Sequence, residues 1–543
     1  MGGVWHHPVR ILKNLWFETS GNIIAPLQCK ITPFSVEADF GSIKCDISFR
    51  SQQELRITAE ASVSDEVKIK FDISPASAWL SNNVPVVTIS GRRVSTKASF
   101  NGIAVEGSLI FPGDPETMEG NIIQFPVNGR FTASILADTL LDPIVMDDLK
   151  GLHATNRDYN HIYCEKNEIS TAYEVAKANM TQLMSYSPLA GYGITAGHPD
   201  FPWFFGIDTL LSVRGMMMSG MFYEVRSSLN NLISHSVNGR IPHEVVTNGY
   251  VYNYGDLEES AIFPWMLNEY VQWSGDLQFA KLHSRSISMT ARYVLNSGLS
   301  GRGIMEDIDA GTGIDIDTAS FFARSLEALL ELQPAIGDSY VGLDFDDLSS
   351  IRNDVVKRIR NDFWIGEAGT FANRIVDGVP LDRGFWTSVV PFYTGVASES
   401  QYKEFMSEGG GLERISGRSG IRVGSEGNVM PMNNGMMAMG AMLYGDHETF
   451  RKYFDILKLS LGSHSPISFP EIVNNPEGCY LQAWSAAFYA ECLTMGALGT
   501  SIKNGRLAWK PVMSSGILGK WVRILNFRFW GGVASLDFPE PDQ

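Results

Sequence analysis

The feature that most constrains the fold is a long succession of amphipathic helices separated by glycine-punctuated loops. From about residue 168 to 500 of the 543-residue chain, apolar residues recur at the spacing of helices that bury one face. Successive helices joined by loops predict helical hairpins stacked side by side. Loops rich in glycine and aromatic residues predict that one end of the stack carries function. The clearest helical patterns cover 169–186, 222–237, 261–275, 277–298, 317–333 and 348–364.

The first part of the chain has a different pattern. Residues 20 to 135 contain short alternating runs such as VKIKFDIS (67–74), separated by turns rich in Gly, Asn, Pro and Ser. Such runs predict an antiparallel β-sandwich, so the predicted fold class is multidomain and mainly α. The predicted segments are an N-terminal β-sandwich domain at 1–135, a helical linker at 136–167, a helical barrel at 168–505, and a tail at 506–543 whose short aromatic runs are expected to return as strands to the β domain.

The charge of the chain limits its partners. The formal net charge is −17 and the pI is about 5.1. A uniformly acidic surface repels nucleic acids and anionic membranes, so we expect neither as a partner. No run of 18 apolar residues occurs, so no transmembrane helix is expected. Association into an oligomer stays possible.

The cysteines and the first residues indicate a compartment. There are five cysteines and no CxxC pair, so neither a disulfide framework nor a zinc site is indicated. The opening MGGVWHHPVR has no apolar core of a secretory signal. We therefore expect a reducing, cytoplasmic location.

The first unusual loop is HPDFPWFFGIDTLLSVRGM (198–216). Trp203 lies in an aromatic run that precedes Asp208, where a helix begins. Flat aromatic faces suit the apolar faces of sugar rings, and a carboxylate beside them can accept hydrogen bonds from two hydroxyls. The alternative is aromatic core packing with Asp208 as a helix N-cap.

The second loop is GRIPHEVVTNGYVYNYGDLEES (239–260), which is dense in tyrosine and acidic residues. A loop this polar suits the wall of a cleft. The alternative is a structural role for the loop, since a lone histidine such as His243 more often makes structural hydrogen bonds than acts as a catalyst. The candidates for binding in this loop are His243, Glu244, Tyr254 and Asp256.

The third loop, SGRGIMEDIDAGTGIDID (300–317), is rich in aspartate between glycines. A solvated acidic loop and a calcium loop are alternatives, but the closing glutamate of an EF-hand is missing. The functional interpretation is that Glu306 or Asp307 is a general acid, because a half-buried carboxyl has a raised pKa.

The fourth stretch is SPISFPEIVNNPEGCYLQAWSAA (465–487), where Glu471 is a lone acid in an apolar, proline-bracketed turn. A solvated loop glutamate, or an acid that favours a helix start, is the plain alternative. Two carboxylates on separate loops are also what general acid and base catalysis of glycoside hydrolysis requires. Sequence spacing leaves open whether they face each other.

These loops, in this order, resemble landmarks of the six-hairpin, (α/α)6-barrel glycosidases. PWFFGIDTLLSVRG, GRIPHEV…YNYGD, GIMEDIDAG, GNVMPMNNGMMAMGAMLYGD and FPEI…GCYLQAWSAA resemble five consecutive motifs of that superfamily, spanning about 200 to 490. In particular they resemble the C-terminal amylo-α-1,6-glucosidase region of glycogen debranching enzymes and, more distantly, the glucoamylases of glycoside hydrolase family 15.

The resemblance implies roles for individual residues. It makes Asp307 the general acid, with Glu306 as the alternative, and Glu471 the general base that activates a water. It places Asp208 and Trp203 at the subsite of the terminal sugar, and it requires neither metal nor cofactor. The further sugar contacts that it suggests are Trp386, Asn434, Gln482 and Trp484.

The chain departs from the family's pattern at two places. The family has arginine before the sugar-binding aspartate, where this chain has Ile207, and a tryptophan near the acid, where this chain has Ile304 and Met305. Loss of the arginine removes hydrogen bonds worth roughly 1–3 kcal/mol if the same sugar bound unchanged. The sugar or its pose is therefore expected to differ.

The resulting prediction is an exo-acting, inverting glycoside hydrolase that removes a terminal hexose, α-linked glucose in the first instance, from oligosaccharides. Trehalose, mannosides and β-glycosides are alternative substrates. A glycoside phosphorylase on the same barrel is the alternative enzyme, and a non-catalytic carbohydrate-binding protein is the third hypothesis.

Overall fold

The computed structural model divides into two compact units. The first unit comprises Met1–Thr155, Tyr186–Gly191 and Val246–Tyr250, and the second comprises Asn156–Ser185, Tyr192–Val245 and Val251–Gln543. The structure describes residues 4–6, 9–32, 35–51, 54–61, 66–77, 84–100, 103–138, 158–255, 257–299, 313–336, 343–425, 427–475, 478–513 and 516–539.

The first unit is the predicted antiparallel β-sandwich. Its eight-stranded sheet has the order β11-β12-β13-β16-β8-β7-β6-β5, its five-stranded sheet the order β14-β15-β9-β3-β4, and β1, β2 and β10 form a third sheet. The strands are β1 Val4–His6, β2 Val9–Leu12, β3 Asn14–Thr19, β4 Asn22–Ile24, β5 Gln28–Thr32, β6 Ser35–Asp39, β7 Ile43–Ser51, β8 Glu54–Ala61, β9 Val67–Asp72, β10 Ala76–Ser77, β11 Val86–Ser90, β12 Arg93–Phe100, β13 Ile103–Ile110, β14 Thr117–Glu119, β15 Ile122–Pro126 and β16 Arg130–Asp138.

Alternation along the strands builds the core of this unit. In β9 the side chains of Val67, Ile69 and Phe71 are buried while the lysines between them point away, as the two-residue period of a strand requires. The Phe71 ring lies 5.0 Å from that of Phe111 and 6.0 Å from that of Phe131, centroid to centroid. Both large sheets thus bury one shared core.

The second unit is helical. Short paired strands, such as Phe204–Phe205 with Glu244–Val245, lie in the loops between helices. Within the described residues the helices are α1 Asn167–Leu183, α2 Gly206–Met218, α3 Phe222–His235, α4 Glu258–Ser274, α5 Leu277–Leu282, α6 Ser284–Ser297, α7 Ile316–Ile336, α8 Phe345–Asp362, α9 Val390–Tyr393, α10 Glu399–Met406, α11 Gly411–Ile415, α12 Pro431–Leu443, α13 His447–Leu459 and α14 Ala483–Glu491.

An inner ring of helices closes on itself, which confirms the predicted six-hairpin barrel. Among the described helices, α2, α4, α7, α9, α12 and α14 each contact the next, and α14 contacts α2. Helices such as α1, α8 and α13 pack behind this ring. Because each hairpin returns the chain to the same end, the amino ends of the inner helices share one face of the barrel. No described helix combines the length and the apolar character needed to cross a membrane.

The contact between α2 and α14 is unusually close. A Cβ atom on Gly215 would lie 2.1 Å from the carbonyl oxygen of Ala487 and 2.5 Å from its Cα. Only glycine lets the two backbones approach this far, so Gly215 sets the position of α14 against α2.

We expect Gly215→Ala to destabilise the protein by about 1–3 kcal/mol, because the methyl group has no space and the two helices must separate. Urea unfolding followed by circular dichroism measures the change. Gly113→Ala is the matched control, since a Cβ there meets no atom within 4 Å. A Gly215→Ala variant as stable as the control would contradict the close packing.

The axis of the barrel is closed about two helical turns below the amino ends. Arg214 of α2 reaches across the ring to α9, with Nη1 3.3 Å from the hydroxyl of Tyr393. The same nitrogen lies 2.8 Å from Oε1 of Glu491, which is fully buried. The guanidinium also lies 5.9 Å from the ring centre of Trp265. These four side chains, hereafter the floor layer, come from four inner helices and block the axis.

Two expectations about the ends of the barrel region need correction. The predicted helical linker lies mostly on residues outside the described ones, and its described end, His161–Cys164, is a strand. This strand pairs with Val522–Phe529, which pairs with Gly532–Phe538. The described strands of the tail do not join the sandwich, because Val522, Ile524 and Phe527 on one face of them are buried in the helical core.

Candidate active site

An aromatic wall stands at the start of α2. The strand Phe204–Phe205 pairs with Glu244–Val245, which brings the first two loops together. The indole N–H of Trp203 donates to Oε2 of Glu244 at 3.0 Å. Its ring stacks on that of Phe205 at 5.8 Å and 24°. The predicted sugar contacts Trp203 and Glu244 are therefore hydrogen-bonded to each other.

Asp208 is the third residue of α2 and is almost fully buried. Its Oδ1 accepts a hydrogen bond from Nε2 of Gln482 at 2.7 Å, across 274 residues of sequence. Burial raises the pKa of Asp208 to about 8, and the negative charge of Glu471 adds to the rise while His243 opposes it. The N-cap interpretation of Asp208 is wrong, because Phe205 occupies that position and no side chain caps the helix.

Gly197 allows this arrangement. It pairs with Gln482 in a short antiparallel bridge. A Cβ at position 197 would lie 2.0 Å from Oε1 of Gln482 and 2.8 Å from the sulfur of Cys479. A side chain there would displace Gln482 and, through it, the hydrogen bond to Asp208.

His243 forms an ion pair with the first turn of α4. Its Nδ1 hydrogen bonds directly to Oε1 of Glu259, and Oε1 of Glu258 lies 3.9 Å from the same nitrogen. Burial lowers the pKa of His243, but the carboxylates of Glu259, Asp208 and Glu244 outweigh it and raise the value to about 9.

Glu471 is held by the backbone of one residue. Its own N–H donates to the carbonyl oxygen of Cys479 at 2.8 Å, and its Oε2 accepts from the N–H of Cys479 at 3.0 Å. The side chain is partly exposed. Burial raises the pKa of Glu471, and the negative charge of Asp200 adds to the rise. A partly buried, oriented carboxyl group of this kind can take a proton from a water molecule.

The other predicted sugar contacts are distributed differently. Trp386 and Trp484 are buried at the amino ends of inner helices, and Tyr254 is exposed. The side chain of Asn434 hydrogen bonds to the backbone. Its Oδ1 accepts from the N–H of Ile421 at 3.0 Å, and its Nδ2 donates to the carbonyl oxygen of Met430. Asp256, Glu306 and Asp307 lie outside the described residues.

Three acidic residues that interact at or near the candidate site were not among the predicted contacts. Glu259 binds His243, Asp200 acts on Glu471, and Asp315 pairs with Arg374 just before α7. The Asp315–Arg374 pair is buried, with oxygen to nitrogen distances of 2.7 and 3.1 Å. The sequence offered one indication of Glu259, because it belongs to a pair of acidic residues at the start of a helix, directly after the tyrosine-rich loop.

Among the described residues, one group of His, Cys, Asp and Glu side chains is compact enough to bind a metal ion. It consists of His243, Glu258 and Glu259, whose ligand atoms lie within 4.8 Å of one another. Because the imidazole N–H donates directly to Glu259, we assign this group to a hydrogen-bonded ion pair.

Part of the chain resembles a known protein family. Residues 177–325 match the sequence model of the family described as amylo-alpha-1,6-glucosidase. This region contains Trp203, Asp208, His243 and Glu259. No curated protein sequence matches the chain.

Solved structures share the fold at low sequence identity. A candidate kojibiose phosphorylase from human microbiome has a TM-score of 0.58 and 11% identity, covering 98% of this chain and 85% of that one. A sialidase has a TM-score of 0.55 and 11% identity, covering 94% and 59%. A family GH78 rhamnosidase of Bacillus sp. GL1 has a TM-score of 0.52 and 13% identity, covering 88% and 51%.

The chain therefore spans only 59% of the sialidase and 51% of the rhamnosidase, and these likenesses concern the fold. The family match covers the part of the chain that carries the aromatic wall and Asp208. Together they confirm the predicted resemblance to the amylo-α-1,6-glucosidase family over 177–325 and the six-hairpin barrel fold, and the family match supports the predicted enzyme class, a glycoside hydrolase.

Proposed function

We propose that the protein is an exo-acting, inverting glycoside hydrolase that releases a terminal hexose, α-linked glucose in the first instance, from oligosaccharides. The observation that carries the proposal is the position of Glu471. Its carboxyl group accepts a hydrogen bond from the N–H of Cys479, its backbone N–H donates to the carbonyl oxygen of Cys479, and its negative charge raises the pKa of Asp208. The proposed base and the proposed sugar-binding carboxyl group are therefore close enough to interact electrostatically.

Glu471 is suited to the general base. Its orientation is set by the backbone, so the carboxylate needs no rearrangement to meet a water molecule. Its raised pKa brings its basicity closer to neutral pH, where a base takes a proton from water more effectively.

The general acid in this proposal is Asp307, with Glu306 as the alternative, as the family resemblance implies. Inverting enzymes keep their two carboxyl groups about 6.5–9.5 Å apart, which leaves room for the attacking water. Either residue precedes Asp315 in the sequence, and the buried pair of Asp315 with Arg374 anchors the described chain at that point.

The terminal sugar is proposed to bind between the aromatic wall and Asp208. Trp203 is 4% exposed and hydrogen-bonded to Glu244, and Asp208 has Gln482 as a hydrogen-bonded neighbour. The floor layer supports exo action, because its side chains meet across the axis of the barrel below this point. The unpaired state of the described cysteines supports a cytoplasmic location.

A glycoside phosphorylase is the second candidate, because a candidate kojibiose phosphorylase shares the fold over most of both chains. Phosphate would have to take the place of the water beside Glu471. The negative charge of Asp200 acts on Glu471 and would repel a phosphate dianion placed beside it. The local charge therefore favours water as the nucleophile.

The test is a panel of α- and β-linked di- and trisaccharides, including trehalose and mannosides, with and without phosphate. Proton NMR of the first product identifies its anomer before mutarotation. We expect release of free sugar at the same rate in both conditions, with the anomeric configuration inverted. A requirement for phosphate, or a sugar phosphate product, would establish phosphorolysis. Binding without any product would favour the non-catalytic hypothesis.

A further inference from the structure

The strand β11 (Val86–Ser90) is an exposed edge of the eight-stranded sheet. It pairs with β12 on one side, and no described strand lies on its other side. Most of its side chains are exposed, Val86 at 66% and Ile89 at 37%. The segment VPVVTIS (84–90), which contains the strand, has no charged residue. An apolar, uncharged edge of this kind is a template for pairing with another strand.

The other described edges of the two large sheets are protected against strand addition. β5 carries Lys30 at its centre with 69% of that side chain exposed, and a lysine on an edge opposes pairing. β4 and β14 have three residues each, and β14 ends at Glu119. Very short and charged edges are poor templates. Among the described strands of these two sheets, β11 is therefore the edge that is open to a partner.

The hairpin between β11 and β12 determines where the backbone groups point. Gly91 and Arg92 join the two strands, and Gly91 has a φ of +56°, as the first central position of a type II′ turn requires. The carbonyl oxygen of Arg92 accepts from the N–H of Phe111, on the side of β13. Because the direction alternates along a strand, the backbone groups of the next residue, Arg93, point toward β11.

The same alternation fixes β11. Arg93 is opposite Ser90, so the backbone groups of Ser90 point to β12. Every second residue repeats this direction, and the N–H and C=O groups of Val87 and Ile89 therefore point away from the sheet. Pro85 has the same parity as these two residues but no N–H, so the outward ladder cannot continue past it. The open edge thus offers two residues, each with one donor and one acceptor.

We propose that β11 pairs antiparallel with β11 of a second copy of this chain, about a two-fold axis at Thr88. In this register Val87 is opposite Ile89 of the second copy, and each such pair exchanges two hydrogen bonds. All outward groups of both residues are then satisfied. A register centred on Val87 would place Ile89 opposite Pro85, which cannot donate. The edge is therefore self-complementary in one register.

The side chains fit this register. Val87 and Ile89 lie on the core side of the sheet, where Val87 packs against the buried core of the sandwich. Pairing covers the exposed part of Ile89 with Val87 of the second copy, as in a cross-strand pair within one sheet. On the other face the two Thr88 side chains meet at the axis, and threonine pairs are favourable there.

The nearby charges allow the pairing. Arg93 of one copy and Lys97 of the second would be three strand spacings apart, about 14 Å, which exceeds the Debye length of about 8–10 Å. Lys97 also lies 3.6 Å from Glu106, which offsets its charge. The net charge of −17 on each chain still causes repulsion at long range. We therefore expect a weak dimer that becomes stronger as the salt concentration rises.

Sedimentation velocity of the full chain, over a wide range of protein concentration in about 0.3 M salt, tests the dimer. The mass should rise from the 60.0 kDa of one chain toward twice that value. Thr88→Lys should raise the dissociation constant about tenfold, because two lysines would be opposite each other at the axis. Thr117→Lys, on the exposed strand β14, is the matched control and should dimerise like wild type.

A charge exchange at position 88 tests the register. Thr88→Lys and Thr88→Glu should each dimerise poorly, whereas their mixture should form a heterodimer, because opposite charges then meet at the axis. In wild type, amide hydrogen exchange of Val87 and Ile89 should slow as the protein concentration rises, and that of Thr88, whose N–H points to β12, should not. This measurement needs no substitution.

Three results would overturn the proposal. They are a wild type that stays monomeric at every concentration, a dimer that Thr88→Lys leaves unchanged, and a mixture of the two charged variants that stays monomeric. A monomeric wild type would reject a second copy as the occupant even if the strand of another protein binds there. The dimer is independent of the proposed hydrolysis, because the first unit contains none of the predicted catalytic residues. Circular dichroism shows whether each variant is folded.

Discussion

Replacing Glu471 with glutamine is expected to lower kcat by about 10²- to 10⁴-fold, the contribution typical of a positioned general base. Glutamine has nearly the same shape, and its amide oxygen can still accept the hydrogen bond from the N–H of Cys479. The substitution thus removes proton acceptance and leaves the loop intact. Initial rates of sugar release from the best substrate measure the effect.

The pH profile gives a second readout for the same variant. Burial raises the pKa of Glu471, and a base must be ionised to act, so the wild-type rate should fall as the pH drops through that raised value. This acidic limb should disappear from the residual activity of Glu471→Gln. Glu448→Gln, at an exposed position of α13, is the control. Activity of Glu471→Gln within a few-fold of the control would show that another group activates the water.

Replacing Arg214 with methionine is expected to destabilise the protein by about 3–5 kcal/mol, because it leaves a buried carboxylate without its cation. Arg214 lies 2.8 Å from Glu491, whose side chain is completely buried. Urea unfolding at pH 8 measures the loss. Arg358→Met is a suitable control, because its ion pair with Asp362 is half-exposed and such pairs contribute about 0–1 kcal/mol.

The loss of stability in Arg214→Met should depend on pH in a defined direction. Burial raises the pKa of Glu491 to about 7, although Arg214 opposes the rise. Without Arg214 that pKa must rise further, so folding binds a proton. The destabilisation should therefore be smallest below about pH 7, where Glu491 is protonated in both folded proteins, and grow as the pH rises above 7 toward the higher pKa of Glu491 in the variant. The double variant Arg214→Met/Glu491→Leu should be more stable than Arg214→Met alone, and a purely additive result would contradict a buried ion pair.

The helices were largely predictable because their signal is local. The apolar spacing at 169–186 and 222–237 predicted α1 Asn167–Leu183 and α3 Phe222–His235 to within three residues. The pattern at 277–298 continues across His283, where the structure separates two helices. Periodicity alone could not show this break, because both pieces bury the same kind of face.

The site was predictable only in its parts. Unusual composition identified the loops that carry Trp203, His243 and Glu471, because a loop that only connects two helices does not need a cluster of polar and aromatic residues. Sequence spacing could not pair Asp208 with Gln482, which lies 274 positions further along the chain. The tail shows the same limit, because its strand pairs with His161–Cys164 about 360 residues earlier and no local pattern records the partner.

The floor layer also decides how molecules leave. Since Arg214 and Tyr393 meet across the barrel, a sugar bound above them has no exit at the far end. In the proposed reaction, both fragments of the cut oligosaccharide must depart through the opening by which the substrate entered. The outer fragment blocks the inner one, so departure is ordered, and the next substrate cannot enter until the deeper sugar has gone. The released monosaccharide should therefore compete with incoming substrate, and the enzyme should detach after each cut.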